Sequence, residues 1–300
     1  MFSIPQIAIE HFVRGLKDSY QLTYGETEYH YSNVAAWSAR LALENIANSD
    51  ALYHNVDHTI MVTSVAQAII KGKHLCEGGV TPRDWLHFIM AVLFHDIGYV
   101  RGVCKDDKDN LYATGVDDKM VEIPSTGTDV LLTPYHIDRS KLFVRERFGG
   151  KLLVEIDIDT KLIASYIEMT RFPSPIKEVH KDSSNYGGLV RAADFIGQLG
   201  DPNYLRKIPA LFYEFEEIGS NTTMGYKNPG DMRGNFAKFY WNVVSPYVQD
   251  ALAYLRQTLE GKQWIANLHS HVFEVEHGYR YLEGTIELEK EGFRGEGVTR

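Results

Sequence analysis

The chain has 300 residues, of which 44% are hydrophobic and 24% charged, and its formal net charge is -9. This composition is sufficient for one large buried core. The negative charge and the lack of a basic stripe argue against a surface for nucleic acid or anionic membranes. There is no apolar window long enough to span a bilayer and no signal-peptide pattern, so we expect a cytoplasmic protein without a membrane partner.

Two amphipathic helices are predicted over residues 5–23 and 31–48, because their apolar side chains recur at three- and four-residue spacing. We expect both helices to cover one side of the core. Residues 48–50 (Asn-Ser-Asp) then supply capping side chains for a third helix. The apolar stripe of that helix passes through His58 and Val62, so His58 is predicted to face the interior.

A fourth helix is predicted to begin at residues 81–84 (Thr-Pro-Arg-Asp), which combine a capping hydroxyl, an early proline and an acid. Residues 85–94 are apolar on nearly all sides, which is typical of a helix in the middle of a bundle. The helix ends at His95 and Asp96. An unpaired buried carboxylate costs roughly several kcal/mol, and binding to a metal would remove that cost.

A long loop is predicted over residues 99–128, which are rich in Gly, Asp, Lys and Thr and show no periodicity. Long loops in compact domains often act as lids or binding loops, so we expect this one to lie beside the site. Helices are predicted over residues 129–147 and 151–170.

The second half of the chain supplies another acid in an apolar setting. Asp194 lies within the predicted helix 189–199 and is flanked by apolar residues, which makes it a candidate for burial against a cation. A long helical region is predicted over residues 231–260, bent near Pro246. The charged, glycine-rich segment 284–300 is expected to fray.

Four side chains from three predicted helices form a candidate metal site: His58, His95, Asp96 and Asp194. Two imidazoles with two carboxylates suit Zn, Mn, Fe or Co, and Mg is retained as a further divalent candidate, with one or two ions per site. Asp96 has a catalytic role in this interpretation, because it could bridge to a second ion. A metal-held hydroxide would be the nucleophile, its pKa lowered to about 7 in favourable cases. The alternative for Asp194 is a salt bridge, for example to Arg191.

His54 precedes His58 by four residues, and on one helix the two side chains would share a face. His54 is not needed as a ligand. It is therefore predicted to protonate the leaving oxygen, which is general acid catalysis worth roughly 10²–10⁴-fold. The alternative is a helix-capping or supporting role.

The sequence also suggests substrate contacts. Asn55 is expected to form a hydrogen bond close to the reacting groups. Phe239 belongs to an aromatic cluster that either lines a base-stacking pocket or packs in the core. His136 and His180 lie in polar segments and are expected to face solvent. Four basic residues are candidates for phosphate binding, and the sequence does not choose among them: Arg101, Lys105, Arg139 and Arg191.

The order HxxxH, then HD, then a distant Asp resembles the HD-domain superfamily of metal-dependent phosphohydrolases. Residues 53–58 (YHNVDH) are similar to the YHNxxH opening of its cyclic-nucleotide phosphodiesterase branch, and weaker similarity spans roughly residues 50–250. In that branch the second histidine, the HD pair and the late aspartate bind metal, and the first histidine donates a proton. The resemblance implies those roles for, respectively, His58, His95 with Asp96, Asp194 and His54.

The chain departs from the phosphodiesterase pattern at several positions. Tyr99 stands where a further histidine is usual, and residues 142–145 (LFVR) stand where paired histidines are usual. In a loose alignment, Phe236 falls at the position of the purine-reading glutamine. The resemblance therefore supports the metal chemistry more strongly than a cyclic-nucleotide substrate.

These patterns together predict an all-α HD-domain bundle with the metal site in its core. Residues 1–50 are expected to pack on a catalytic core at 51–250, followed by a helical extension at 251–300. The expected activity is that of a metal-dependent phosphohydrolase acting on a nucleotide or another small phosphoester, with the oligomeric state left open. The alternatives are an HD-fold di-iron oxygenase, which would use more histidine ligands, and a non-catalytic HD module that binds a nucleotide or a partner.

Overall fold

The structure is a computed structural model that describes the backbone of residues 4–150, 157–175 and 180–292, with side chains as far as Gly278. Within these residues the chain is an all-α bundle with one small sheet, which confirms the predicted fold class. The helices are α1 (Ile4–Tyr24), α2 (His30–Ile46), α3 (Val56–Glu77), α4 (Pro82–Phe94), α5 (His136–Phe148), α6 (Thr160–Glu168), α7 (Tyr186–Leu199), α8 (Tyr204–Glu217), α9 (Ser220–Met224), α10 (Pro229–Phe239), α11 (Ser245–Leu255) and α12 (Leu259–Gly292). The sheet pairs the antiparallel strands β1 (Leu111–Ala113) and β2 (Met120–Glu122).

Helix α4 lies in the middle of the bundle. It begins with the predicted capping box, in which Thr81 and Asp84 each accept a hydrogen bond from the backbone N–H of the other. Residues 85–94 are all buried, and α4 packs against α2, α3, α6 and α7. Because α4 is surrounded by other helices, the two residues that follow it, His95 and Asp96, also lie in the interior.

Helices α3 and α7 approach each other backbone to backbone. A methyl group added at Gly197 on α7 would lie 2.5 Å from the Cα of Val62 on α3. Only glycine fits there without a shift of one helix, because the facing atoms belong to the main chain. Asp194 precedes Gly197 by three residues and therefore lies on the same face of α7. This close contact carries the Asp194 carboxylate toward α3.

The predicted start of α3 was wrong. Residues 48–50 do not cap this helix; its N-cap is Asn55, whose Oδ1 accepts from the backbone N–H groups of Asp57 and His58. An asparagine is an equally good cap in either place, so the sequence signal could not separate the two starts. As a consequence, His54 precedes the helix and does not share a helical face with His58.

The segment predicted as a loop, residues 99–128, contains the β1–β2 hairpin. Three-residue strands are too short to show an alternating pattern, so they could not be recognised from the sequence. Buried Arg139 on α5 fixes this segment: its guanidinium donates to three backbone carbonyls between residues 98 and 113 and pairs with Asp107 at 2.9 Å.

The two helices predicted after this segment are shorter than expected. A 3₁₀ turn at Asp129–Leu132 precedes α5, which begins at His136. The second prediction, over residues 151–170, corresponds to α6 at Thr160–Glu168. Residues 151–156 lie outside the described residues.

The C-terminal helices follow the predicted order. Helix α10 continues through a π-helical turn at Tyr240–Val244 into α11. This turn ends two residues before Pro246, where a bend was predicted, and proline cannot donate the backbone hydrogen bond of a regular helix. Residues 284–292, expected to fray, are part of α12, and residues 293–300 lie outside the described residues.

The first two helices pack against each other, and α2 also packs against α4, so this pair covers one side of the core as expected. At the other end of the chain, α12 packs against α10 and α11. Among the helices that the structure describes, none combines the length and the hydropathy that crossing a membrane requires.

Candidate metal centre

His58 lies in the first turn of α3, immediately inside the Asn55 cap. Its side chain is 4% exposed. The His58 ring lies 5.6 Å from the His95 ring, measured between centroids. The cap therefore fixes the backbone at the point where α3 presents an imidazole to the end of α4.

His95 follows the last residue of α4 and is 1% exposed. Its Nδ1 lies 2.7 Å from the backbone oxygen of Val92. Since a carbonyl can only accept, Nδ1 carries the proton and Nε2 of the neutral ring keeps its lone pair. Histidines that bind metals are commonly oriented in this way.

The four residues predicted as metal ligands meet in space. The Nε2 atoms of His58 and His95 lie 3.3 Å and 3.1 Å, respectively, from Oδ2 of Asp96. Each of these nitrogens also lies 3.6 Å from Oδ1 of Asp194. The donor atoms of His58, His95 and Asp194 are all within 4.8 Å of one another. One ion with ligand bonds of about 2.0–2.2 Å could contact them together after small adjustments.

Two atoms of this cluster are buried without a hydrogen-bond partner, namely Nε2 of His95 and Oδ2 of Asp96. Buried polar atoms nearly always have a partner, and leaving one unpaired costs about 1–3 kcal/mol. A divalent cation between the two atoms would satisfy both. The residues therefore fit a divalent metal held by nitrogen and oxygen ligands.

The ionisation of these ligands is coupled. Burial alone would lower the pKa of His95, but the Asp96 and Asp194 carboxylates outweigh burial and raise that pKa well above its usual value. Burial alone would raise the pKa of Asp96, but its contacts with His95 and His58 hold it well below the usual range. Protons and a metal ion therefore compete for this site.

His54 lies one residue before the α3 cap and lines a cavity beside the ligand cluster. Its Nδ1 is 2.6 Å from Oε2 of Glu214. The other oxygen of Glu214 accepts from the backbone N–H groups of Tyr53 and His54. Burial lowers the pKa of His54, but the Glu214 carboxylate outweighs it, and the pKa rises to about 9. The ring is thus cationic at neutral pH, and with Nδ1–H donated to Glu214 the Nε2–H remains available.

Glu214 was not identified from the sequence. It lies on α8, 160 residues from His54 along the chain, and its side chain is 2% exposed. The available signal was an acid within the aromatic run of residues 212–215 (FYEF), because acids are rarely buried without a partner. That signal indicates burial, but it does not identify His54 as the partner.

His136 was expected to face solvent, and that prediction was wrong. Its side chain is 16% exposed and its Nε2 lies 3.8 Å from Oδ1 of Asp96. Nδ1 lies 2.6 Å from the backbone oxygen of Thr133, so Nε2 of the neutral ring keeps its lone pair. Burial lowers the pKa of His136. His136 is thus a further nitrogen ligand available on the cavity side of Asp96. His180, also expected to face solvent, is buried.

Tyr99 lies between two imidazoles. Its ring stacks on His54 with centroids 4.7 Å apart and on His136 with centroids 4.4 Å apart. The interplanar angles are 21° and 18°. Tyr99, which occupies the position of a histidine in the resembled family, therefore spaces two imidazoles along the cavity wall.

Asn55, Phe239 and Arg191, all considered above as substrate contacts, have three different environments in the structure. Phe239 lines the cavity. Asn55 is engaged as the α3 cap and does not line the cavity. Arg191 is 1% exposed; its guanidinium donates to the backbone oxygen of His180 and lies 3.9 Å from the ring centre of Tyr247. Arg191 therefore packs inside the bundle, with its guanidinium against His180 and Tyr247.

The other three candidates for phosphate binding do not line the cavity either. Arg101 pairs with Asp129 at 3.1 Å, Arg139 is held by Asp107, and Lys105 is exposed. None of the four candidate basic residues lines the cavity. The only positive charge identified on its wall, among the described residues, is that of His54.

The cavity has a volume of about 420 Å³, within the range of small-molecule sites. Its polar end is formed by His54, Asp96, His136 and Asp194. Most of the remaining wall is apolar. Its larger apolar residues include Phe172, Phe195, Leu211, Phe215, Met224, Met232, Phe236 and Phe239.

In a comparison with protein families, the model of the family described as Npun_R2479-like matches residues 2–278. The match extends over most of the sequence, and the chain belongs to the Npun_R2479-like family. No curated protein matches the chain. The family description states neither a reaction nor a substrate, so a functional proposal depends on the geometry of the site.

Proposed function

We propose that this protein is a metal-dependent phosphohydrolase of the HD-domain type that cleaves a phosphoester of a nucleotide or another small metabolite. One observation carries the proposal: His58, His95, Asp96 and Asp194 converge on a point where two buried atoms lack partners, beside a cationic His54. Asp96 and Asp194 also line the cavity. A structural metal site is usually closed to substrate, whereas a catalytic site keeps an open position.

The four residues would hold a divalent ion, which supplies a Lewis acid for the phosphoryl oxygens and a water of lowered pKa. His54 holds the proton that the leaving oxygen needs, at Nε2. As a water oxygen bonds to phosphorus and the ester bond breaks, the His54 proton passes to the departing oxygen and the product leaves as an alcohol. The proton lost by the water is released to solvent, and neutral His54 regains a proton from solvent. Glu214 keeps the imidazole oriented and cationic between turnovers.

A cytoplasmic setting and a small-molecule substrate, without a nucleic-acid or membrane partner, are part of this proposal. Cys76 and Cys104 are both free, which suits a reducing compartment. The net charge of -9 also disfavours polyanionic partners.

The proposal is tested by metal analysis followed by a panel of phosphoesters. The panel contains nucleoside monophosphates, cyclic nucleotides and a chromogenic diester, assayed with wild type, Asp96→Ala and the control Asp18→Ala. Asp18 is exposed on α1, far in sequence from the site. We expect wild type and the control to bind metal and hydrolyse at least one ester, and Asp96→Ala to lose both properties.

Absence of hydrolysis by metal-loaded wild type, or equal activity of Asp96→Ala, would contradict the proposal. Binding of panel members without turnover would instead indicate a non-catalytic module.

A second candidate is an HD-fold di-iron oxygenase, and the position of His136 favours it. This side chain places one more imidazole nitrogen 3.8 Å from Asp96, and a second iron needs additional nitrogen ligands. Oxygen consumption by the iron-loaded protein, together with a redox-active iron spectrum, would support the oxygenase. Hydrolysis supported equally well by redox-inert Zn would support the phosphohydrolase.

A further inference from the structure

Among the described residues, the charged side chains of the cavity wall are confined to its polar end, and the proposed reaction does not require this. Outside the polar end, the described residues that line the cavity include no lysine, arginine, aspartate or glutamate. The remaining polar side chains of the wall, including Tyr99 between the two imidazoles, are neutral: Tyr99, Thr133, Thr170, Gln198, Tyr204, Tyr226 and Asn235. A second charged group on a substrate would lose its hydration in this part of the cavity without gaining an ion pair.

The same wall carries a cluster of phenylalanine rings. Phe172 meets Phe195 and Phe239 edge to face, with centroids 6.1 Å and 6.0 Å apart. Phe195 and Phe239 are themselves 6.5 Å apart. Phe172 is 46% exposed and Met224 is 45% exposed, so these two residues form an apolar rim. The phenylalanine part of the wall therefore offers apolar contact to a ligand held at the polar end.

We infer that the substrate is an ester with a single phosphoryl group and an apolar, uncharged organic group. The phosphoryl group lies at the polar end, and the organic group lies against Phe172, Phe195 and Phe239. This inference rests on the proposed function, because it takes the metal end of the cavity as the phosphoryl end. It also disfavours di- and triphosphates, since the described residues that line the cavity include no lysine or arginine to pair with further phosphate groups.

A matched pair of esters tests the inference through turnover. Metal-loaded wild type is assayed with hexyl phosphate and with the phosphate ester of a six-carbon alcohol that carries a carboxylate at its other end. The two leaving groups have nearly the same basicity, so a difference in kcat/KM results from the contacts of the organic group with the cavity wall. We expect kcat/KM for hexyl phosphate to be at least tenfold higher. Equal or faster hydrolysis of the carboxylated ester would overturn the inference.

Binding is measured separately, so that the result does not depend on turnover. The probes are ethyl-, butyl- and hexylphosphonate and a carboxyl-terminated hexylphosphonate, titrated calorimetrically into the metal-loaded protein. Each added methylene should tighten binding roughly fourfold until the cavity is filled. The terminal carboxylate should weaken binding at least tenfold. A Kd that does not change with chain length would contradict the inference.

Two variants locate the effect on the aromatic wall. Phe239→Ala should remove most of the preference for the hexyl chain. The control Phe273→Ala, in which a 63% exposed ring on α12 is removed, should retain it. If Phe239→Ala does not fold, Phe172→Lys at the rim provides the test: it should bind the carboxylated phosphonate at least tenfold more tightly than wild type does. An unchanged preference in the folded wall variant would overturn the inference.

The outcomes separate the two proposals. Selective binding of hexylphosphonate without hydrolysis of any ester would contradict the phosphohydrolase proposal and support the apolar cavity. Hydrolysis of both esters at the same rate would support the phosphohydrolase and overturn the apolar substrate.

Discussion

The proton on His54 depends on one buried carboxylate, and Glu214→Gln tests that dependence. Glutamine has the shape of Glu214 and can still accept from the backbone N–H groups of Tyr53 and His54. It removes the charge that raises the pKa of His54 to about 9. A neutral imidazole is a poor acid, so we expect kcat to fall roughly 100-fold. Metal content and KM should change little, which steady-state kinetics and elemental analysis would show.

A suitable control for this variant is Glu44→Gln, which removes an exposed carboxylate on α2 and should leave kcat unchanged. A wild-type kcat in Glu214→Gln would mean that the charge on His54 is not used in the reaction. Loss of metal in this variant would show that Glu214 supports the ligand cluster instead of the proton donor.

At the residue scale, the candidate ligands were easier to recognise in the sequence than the residues that contact them. His58, His95 and Asp96 stood out because polar side chains occur beside or inside apolar helices, and such a pattern is readable within a short window. Glu214 and His136 gave no comparable signal. Their roles depend on contacts with residues far away in the chain, which local periodicity does not encode.

The cap of α3 links helix stability to the geometry of the site, and Asn55→Ala tests it. Asn55 accepts hydrogen bonds from Asp57 and His58, and loss of an N-cap costs about 1 kcal/mol. We expect a lower Tm and a reduced free energy of unfolding in denaturant titrations, with little change in KM. Asn55→Asp should restore stability, because aspartate is an equally good cap. A raised KM with an unchanged Tm would instead support the substrate contact expected from the sequence.

The contact between α3 and α7 is tested by Gly197→Ala. The added methyl would lie 2.5 Å from the Cα of Val62, so one helix must shift and Asp194 must move away from His58. Overpacking of this kind costs about 1–3 kcal/mol. We expect weaker metal binding by titration as well as a lower Tm.

Gly15→Ala on α1 is the matched control for this helix contact. Nothing lies within 4 Å of the added methyl there, and replacement of glycine by alanine inside a helix stabilises it by roughly 0.5–1 kcal/mol. A Gly197→Ala protein as stable as this control, with normal metal affinity, would show that the close approach does not position Asp194.

At the element scale, long helices were predictable and short elements were not. Helix α4 begins with a capping box and continues with a long apolar run, and both features can be recognised in the sequence. The strands β1 and β2 have three residues each, and β1 is held by Arg139 of α5, which donates to the backbone oxygen of Ala113. The start of α3 was missed because two asparagine-containing segments offered equivalent caps.

For the molecule as a whole, the ligand cluster joins parts of the chain that are far apart. His58 comes from α3, His95 and Asp96 from the end of α4, and Asp194 from α7. An ion bound to all of them would link three helices of the core and would be absent from the unfolded chain. Binding and folding should therefore be coupled.

Removal of the metal tests this coupling. A ligand at 100 times its Kd stabilises the folded state by about 2.7 kcal/mol, provided that it does not bind the unfolded chain. We expect chelation to lower the Tm of wild type by several degrees and re-addition of the metal to restore it. Asp194→Ala should show a smaller shift at the same metal concentration, because its site lacks one ligand, whereas Asp18→Ala should respond as wild type does. Equal shifts in Asp194→Ala and wild type would place the stabilising ion elsewhere in the molecule, since an ion held at α3, α4 and α7 cannot be indifferent to the loss of its α7 ligand.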